Sequence, residues 1–88
     1  MNELRMEQME SLLRENFSPD FLEIIDDSHH HIGHAGAKNG AGHFSVNICS
    51  SAFVGKTLVQ RHRMVYAVLD SMMHSEIHAL SIQASVPK

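Results

Sequence analysis

The sequence predicts an α+β domain in the order α-β-β-α-α-β, with a three-stranded mixed sheet covered on one face by helices. Three observations carry this expectation. An amphipathic stretch opens the chain, two separated runs alternate apolar and polar residues, and a capped apolar stripe at helical spacing lies between those runs.

From Glu3 to Asn16, Met9, Leu12 and Leu13 recur at i, i+3 and i+4 among Glu and Arg, which predicts a helix that Ser18-Pro19 ends. Phe21 to Asp27 is short, carries Ile24 and Ile25, and reads as a strand. Ser28 to Gly42 holds four of the five glycines, four histidines and almost no bulky apolar residue, so it reads as a loop with little core to offer. His43 to Cys49 alternates, with Phe44, Val46 and Ile48 on one face and Ser45 and Asn47 on the other, and pairs with the preceding strand as a long-loop hairpin. Ser50 to Phe53 reads as a helical turn before Gly55. Thr57 is placed to cap a helix whose stripe is Leu58, Val65, Val68, Leu69 and Met72. Ala79 to Ala84 supplies the last strand, with Leu80 and Ile82 facing the core.

With 88 residues the chain fits a single domain over residues 1–88, because two pieces of half that size would bury too little apolar surface to be stable. Cys49 is the only cysteine, so no internal disulfide can form, as suits a reducing compartment. It is expected to be a small buried residue rather than a reactive thiol. The charged opening (Glu3, Arg5, Glu7, Glu10) and the lack of a long apolar run predict a cytoplasmic protein with no membrane partner. A net charge of −3 argues against affinity won mainly by neutralising phosphates, although protonating all eight histidines would turn −3 into +5.

No nucleophile elbow, phosphate-cradling glycine loop, Cys-x-x-Cys or His-Glu-x-x-His is present, so a binding role is expected rather than catalysis. Asp26 and Asp27 are adjacent, and on a strand they point to opposite faces, so they form no carboxylate dyad. His29, His30, His31 and His34 share one loop, and imidazole suits borderline metals; a polar loop that happens to be rich in histidine is the plainer explanation of the same composition. His78 stands alone before the last strand, where a hydrogen-bonded structural histidine is the plainer reading. Lys56, Arg61, His62, Arg63 and Tyr66 make a basic turn that reads either as a solvated helix face or as a contact surface for nucleic acid or an acidic partner.

Taken in order, Asp27-Ser28 before a histidine-bearing loop, His43-Phe44 opening an alternating strand, Ser50-x-x-Phe53-x-Gly55, Arg61-His62-Arg63-x-x-Tyr66 and His78-Ala79-Leu80 resemble the BolA family from about Phe21 to Pro87. The resemblance implies a class II KH-like fold, in agreement with the order read from the residues. It also implies pairing with a monothiol glutaredoxin across a [2Fe-2S] cluster that the glutaredoxin otherwise holds with cysteine and glutathione. His78, of the His-Ala-Leu motif, would be one ligand, and the loop between the first two strands would supply the other. That loop has no cysteine here, so the second ligand would be a histidine: His34, by spacing back from His78, or His31, by spacing from Ser28. Two ligands are too few for a cluster, so the isolated chain is expected to hold none. The family's link to transcriptional control keeps DNA as a competing partner, but Val54-Gly55-Lys56 lacks the Gly-x-x-Gly clamp of KH domains. A homodimer is compatible with either reading.

Overall fold

The computed structural model describes residues 3–27, 42–73 and 76–88. Helix α1 spans Glu3–Phe17 and buries Met9, Leu13 and Phe17, one residue per turn along a single stripe. Its exposed side carries the Glu10–Arg14 pair at 2.7 Å. The helix stops where Ser18 takes a left-handed φ of 43° and its N–H returns to the carbonyl of Arg14 at 3.1 Å, after which Pro19 cannot continue the ladder.

Strand β1 (Phe21–Asp26) pairs antiparallel with β2 (Gly42–Cys49), from Phe21 opposite Cys49 to Asp26 opposite Phe44. Strand β3 (Ile77–Ser85) lies parallel to β2 on its other side, so the order is β1-β2-β3 and β2 is central. A parallel neighbour needs a crossover connection. Helices α2 (Leu58–Val68) and α3 (Asp70–Met73) lie within that connection. The predicted α+β architecture with a mixed three-stranded sheet is therefore the observed one.

Alternation along β2 sorts its side chains. Phe44, Val46 and Ile48 are buried against Met9, Leu13, Val65, Leu69 and Met72, while His43, Ser45, Asn47 and Cys49 lie half-exposed on the face without helices. Cys49 is thus half-buried, contrary to the expectation of a buried thiol, because its place in the alternation puts it on the open face.

Ser50 ends β2 fully buried. Its Oγ donates to the carbonyl of Phe17 at 2.6 Å and accepts from the N–H of Ala52 at 3.1 Å, joining the end of α1 to a 3₁₀ turn at Ser51–Phe53. The Phe53 ring, fully buried, meets Phe17 at 5.1 Å between centroids. Thr57 caps α2 as predicted: its Oγ1 accepts from the N–H of Gln60, and the Gln60 side chain accepts from the N–H of Thr57.

The stripe expected from Leu58 to Met72 is corrected in two respects. It divides at Leu69, where the backbone leaves helical geometry between α2 and α3. Leu58 is 65% exposed, because the first turn of α2 runs past the apolar layer and meets backbone carbonyls through Arg61. The last strand is longer than the predicted Ala79–Ala84, beginning at Ile77 and ending at Ser85.

A histidine pair at a bulge in the sheet

The β2–β3 ladder is regular from His43 opposite Ala79 to Cys49 opposite Ser85, but Gly42 lies opposite Ile77. His78 is the extra residue, so the ladder carries a bulge there. Strict alternation would turn His78 toward the same side as Leu80 and Ile82. The bulge breaks that phase: Ile77 is buried, and both His78 and Ala79 are exposed. The entrance to the bulge is fixed on both sides. Gly42 donates its N–H to Glu76 at 3.0 Å, and the Glu76 carboxylate accepts from Arg5 of α1 at 2.7 Å.

The re-aimed His78 ring lies 4.9 Å from that of His43, with 48° between the ring planes. His43 is half-buried and its Nε2 atom is fully covered. Its backbone carbonyl accepts from the N–H of Asp27 at 2.7 Å, and the Asp27 carboxylate accepts from the Ser45 hydroxyl. Two imidazoles bound to one metal atom through nitrogens about 2.1 Å from it have centroids roughly 5 Å apart. The observed spacing is of that size. Among the described residues no third His, Cys, Asp or Glu joins the pair in a group able to hold an ion. Cys49 stands at the far end of β2, roughly 20 Å along the strand from His43 at about 3.3 Å per residue.

The sequence singled out His78 as a ligand but not His43, which entered as the first residue of a strand and in the His43-Phe44 motif of the resemblance, with no ligand role. The usable signal was the alternation itself, which sets His43 on the face opposite Phe44. His31 and His34, and the loop that holds them, lie outside the described residues.

The basic residues lie elsewhere. Arg61 donates from Nε to the carbonyl of Lys56 at 3.0 Å and from Nη1 to that of Ala84 at 3.2 Å, and Tyr66 donates its hydroxyl to the carbonyl of Leu80 at 3.1 Å. Helix α2 therefore runs antiparallel to β3, and two of its side chains occupy carbonyls on the strand's outer edge, which limits that edge's capacity to pair with another chain. His62 and Leu58, one turn apart, line a groove with Asn47, Ile82, Gln83 and Ser85. Lys56 and Arg63 are exposed. No helix among the described residues is long and apolar enough to cross a membrane.

Fold and site together define a small α+β domain with two neighbouring imidazoles, one exposed and one half-buried, at a bulge in its sheet. The chain belongs to the BolA-like protein family, whose model matches residues 13–88. It is 44% identical over 80 residues to SufE-like protein 1, chloroplastic/mitochondrial, of Arabidopsis thaliana, covering 85% of this chain but only 22% of that protein. It is 38% identical over 76 residues to the DNA-binding transcriptional regulator BolA of Escherichia coli (strain K12), covering 86% of this chain and 70% of the regulator. Among solved structures, the BolA domain of SufE1 from Arabidopsis thaliana superposes with a TM-score of 0.83 at 41% identity, over 94% of this chain and 92% of that one.

Proposed function

We propose that this chain is an iron-sulfur cluster adaptor that pairs with a monothiol glutaredoxin and contributes two histidines to a shared [2Fe-2S] cluster. The observation that carries the reading is the His43–His78 pair, 4.9 Å apart at a bulge whose effect is to expose His78. His78 is one donor. The second is a histidine drawn from His43, His34 and His31: His43 has the proximity, and the loop residues have the family resemblance. A [2Fe-2S] cluster takes four protein or thiol donors, so the remaining two come from the partner's cysteine and glutathione. Imidazole is neutral where thiolate is charged, so a cluster held this way has a higher reduction potential than an all-thiolate one. The role is one of binding and hand-over, with no catalytic group assigned, in a reducing compartment that we take to be the cytoplasm.

The test mixes the purified chain with cluster-loaded monothiol glutaredoxin and follows visible absorption and circular dichroism. The wild type is expected to change the cluster spectrum and His78→Ala to leave it as glutaredoxin alone. Comparing His43→Ala, His34→Ala and His31→Ala then identifies the second donor. An unchanged spectrum with the wild type would end the adaptor reading.

A second reading, a nucleic-acid-binding regulator, is favoured by the name of the Escherichia coli relative and by the exposed Lys56 and Arg63. It ranks second because Arg61 is engaged with carbonyls and the chain's net charge is −3. With so few phosphate contacts available, non-specific affinity would be weak and its salt dependence shallow, because the slope scales with the number of phosphates neutralised.

A further inference from the structure

The charges of this chain are segregated along its sequence. Eight of its ten acidic residues precede Ser28, and none occurs between Asp27 and Asp70. Within that acid-free stretch the structure exposes three large aliphatic side chains close together in the chain: Val54 at 63%, Leu58 at 65% and Val59 at 59%. Val54 and Lys56 flank Gly55, whose φ of 78° makes the turn that enters α2. On the helix, Val59 and Arg63 are one turn apart, as are Leu58 and His62, so each aliphatic residue is followed on its own face by a basic or titratable one.

We propose that the Val54–Lys56 turn and the first two turns of α2 form a docking surface for a protein partner whose complementary face sets carboxylates around an apolar residue. Val54, Leu58 and Val59 supply the dry contact, while Lys56 and Arg63 supply the charge. A surface that binds phosphates through cations gains nothing from aliphatic groups that stay in water, whereas a protein interface buries them at its centre and keeps charges on its rim. Single-stranded nucleic acid would want stacking aromatics. The one aromatic residue on α2, Tyr66, has its hydroxyl committed to Leu80.

The inference rests on the adaptor reading and gives its partner a second point of attachment. Arg61 meets Ala84 at one end of β3, and Tyr66 meets Leu80 two residues from His78 near the other. The docking surface and the histidine pair therefore lie toward opposite ends of β3, roughly 20 Å apart along the strand at about 3.3 Å per residue. An interface of ordinary size, about 800 Å² on each partner, spans that distance. Docking at α2 would then hold the partner before any cluster is shared.

The experiment measures the affinity of cluster-free monothiol glutaredoxin for the wild-type chain, for Lys56→Glu with Arg63→Glu, for Leu58→Ser with Val59→Ser, and for His78→Ala. Circular dichroism checks that each variant is folded, which the exposure of the docking positions favours. Each docking pair is expected to weaken binding at least tenfold and His78→Ala to change it less than twofold. Wild-type affinity in both docking pairs would overturn the proposal while leaving the adaptor reading intact. So would binding that appears only with cluster-loaded glutaredoxin. Failure of the wild type to bind either form would overturn both. A duplex-DNA titration of the same variants forms the other arm: loss of salt-sensitive DNA retention with unchanged glutaredoxin affinity would assign the surface to nucleic acid instead.

Discussion

The two faces of β2 are built from the same seven residues, His43 to Cys49, and follow different rules. Phe44, Val46 and Ile48 are at most 2% exposed, and each is fixed by what it packs against. His43, Ser45, Asn47 and Cys49 lie outside the core cluster and are only half-covered, so core packing does not dictate their identity. The residues that hold the domain together are chemically inert, and the proposed donors sit outside the core cluster. Substitutions on the first face should therefore cost stability, and substitutions on the second should cost only chemistry.

The largest expected effect is on the core face. Phe44→Ala should lose about 3–5 kcal/mol, the usual cost of emptying a buried aromatic site. That is a large share of the roughly 5–15 kcal/mol that holds a small domain folded. Urea denaturation followed by circular dichroism measures it, and a loss below about 1 kcal/mol would mean that the packed face is not where the stability lies. Next is Ser50→Ala. It removes the hydroxyl that serves both the Phe17 carbonyl and the Ala52 N–H, and about 1–3 kcal/mol is expected for buried polar groups left without a partner. The same denaturation curve reads it, and a neutral result would detach the end of α1 from the 3₁₀ turn. The smallest effect belongs to the open face: His78→Ala should stay within about 0.5 kcal/mol of the wild type, as exposed positions usually do. A loss comparable to that of Ser50→Ala would make His78 a structural residue and erase the contrast between the faces.

How far each face could be read in advance follows from how local its signal is. The period-two pattern from His43 to Cys49 is written within seven residues, and it gave both the strand and its buried side. The cap at Thr57 is equally local, because its hydrogen bonds span three residues. The exposure of Leu58 could not be read, since helical spacing marks which side of α2 is apolar but not where the layer beneath it ends. Nor could the bulge. Whether His78 follows the alternation of β3 or breaks it depends on the register of β3 against β2, two segments more than 25 residues apart in the sequence. For the same reason His78 was found from its motif while His43 was passed over: their proximity exists only once the parallel ladder has formed.

The claim that the open face binds through its histidines is tested most directly by pulsed electron paramagnetic resonance of the reduced cluster, in the complex of glutaredoxin with this chain labelled with ¹⁵N at histidine. The account predicts ¹⁵N coupling from imidazole nitrogens bonded to the cluster, diminished or abolished in His78→Ala. A complex that forms and shows no histidine coupling in the wild type would contradict it.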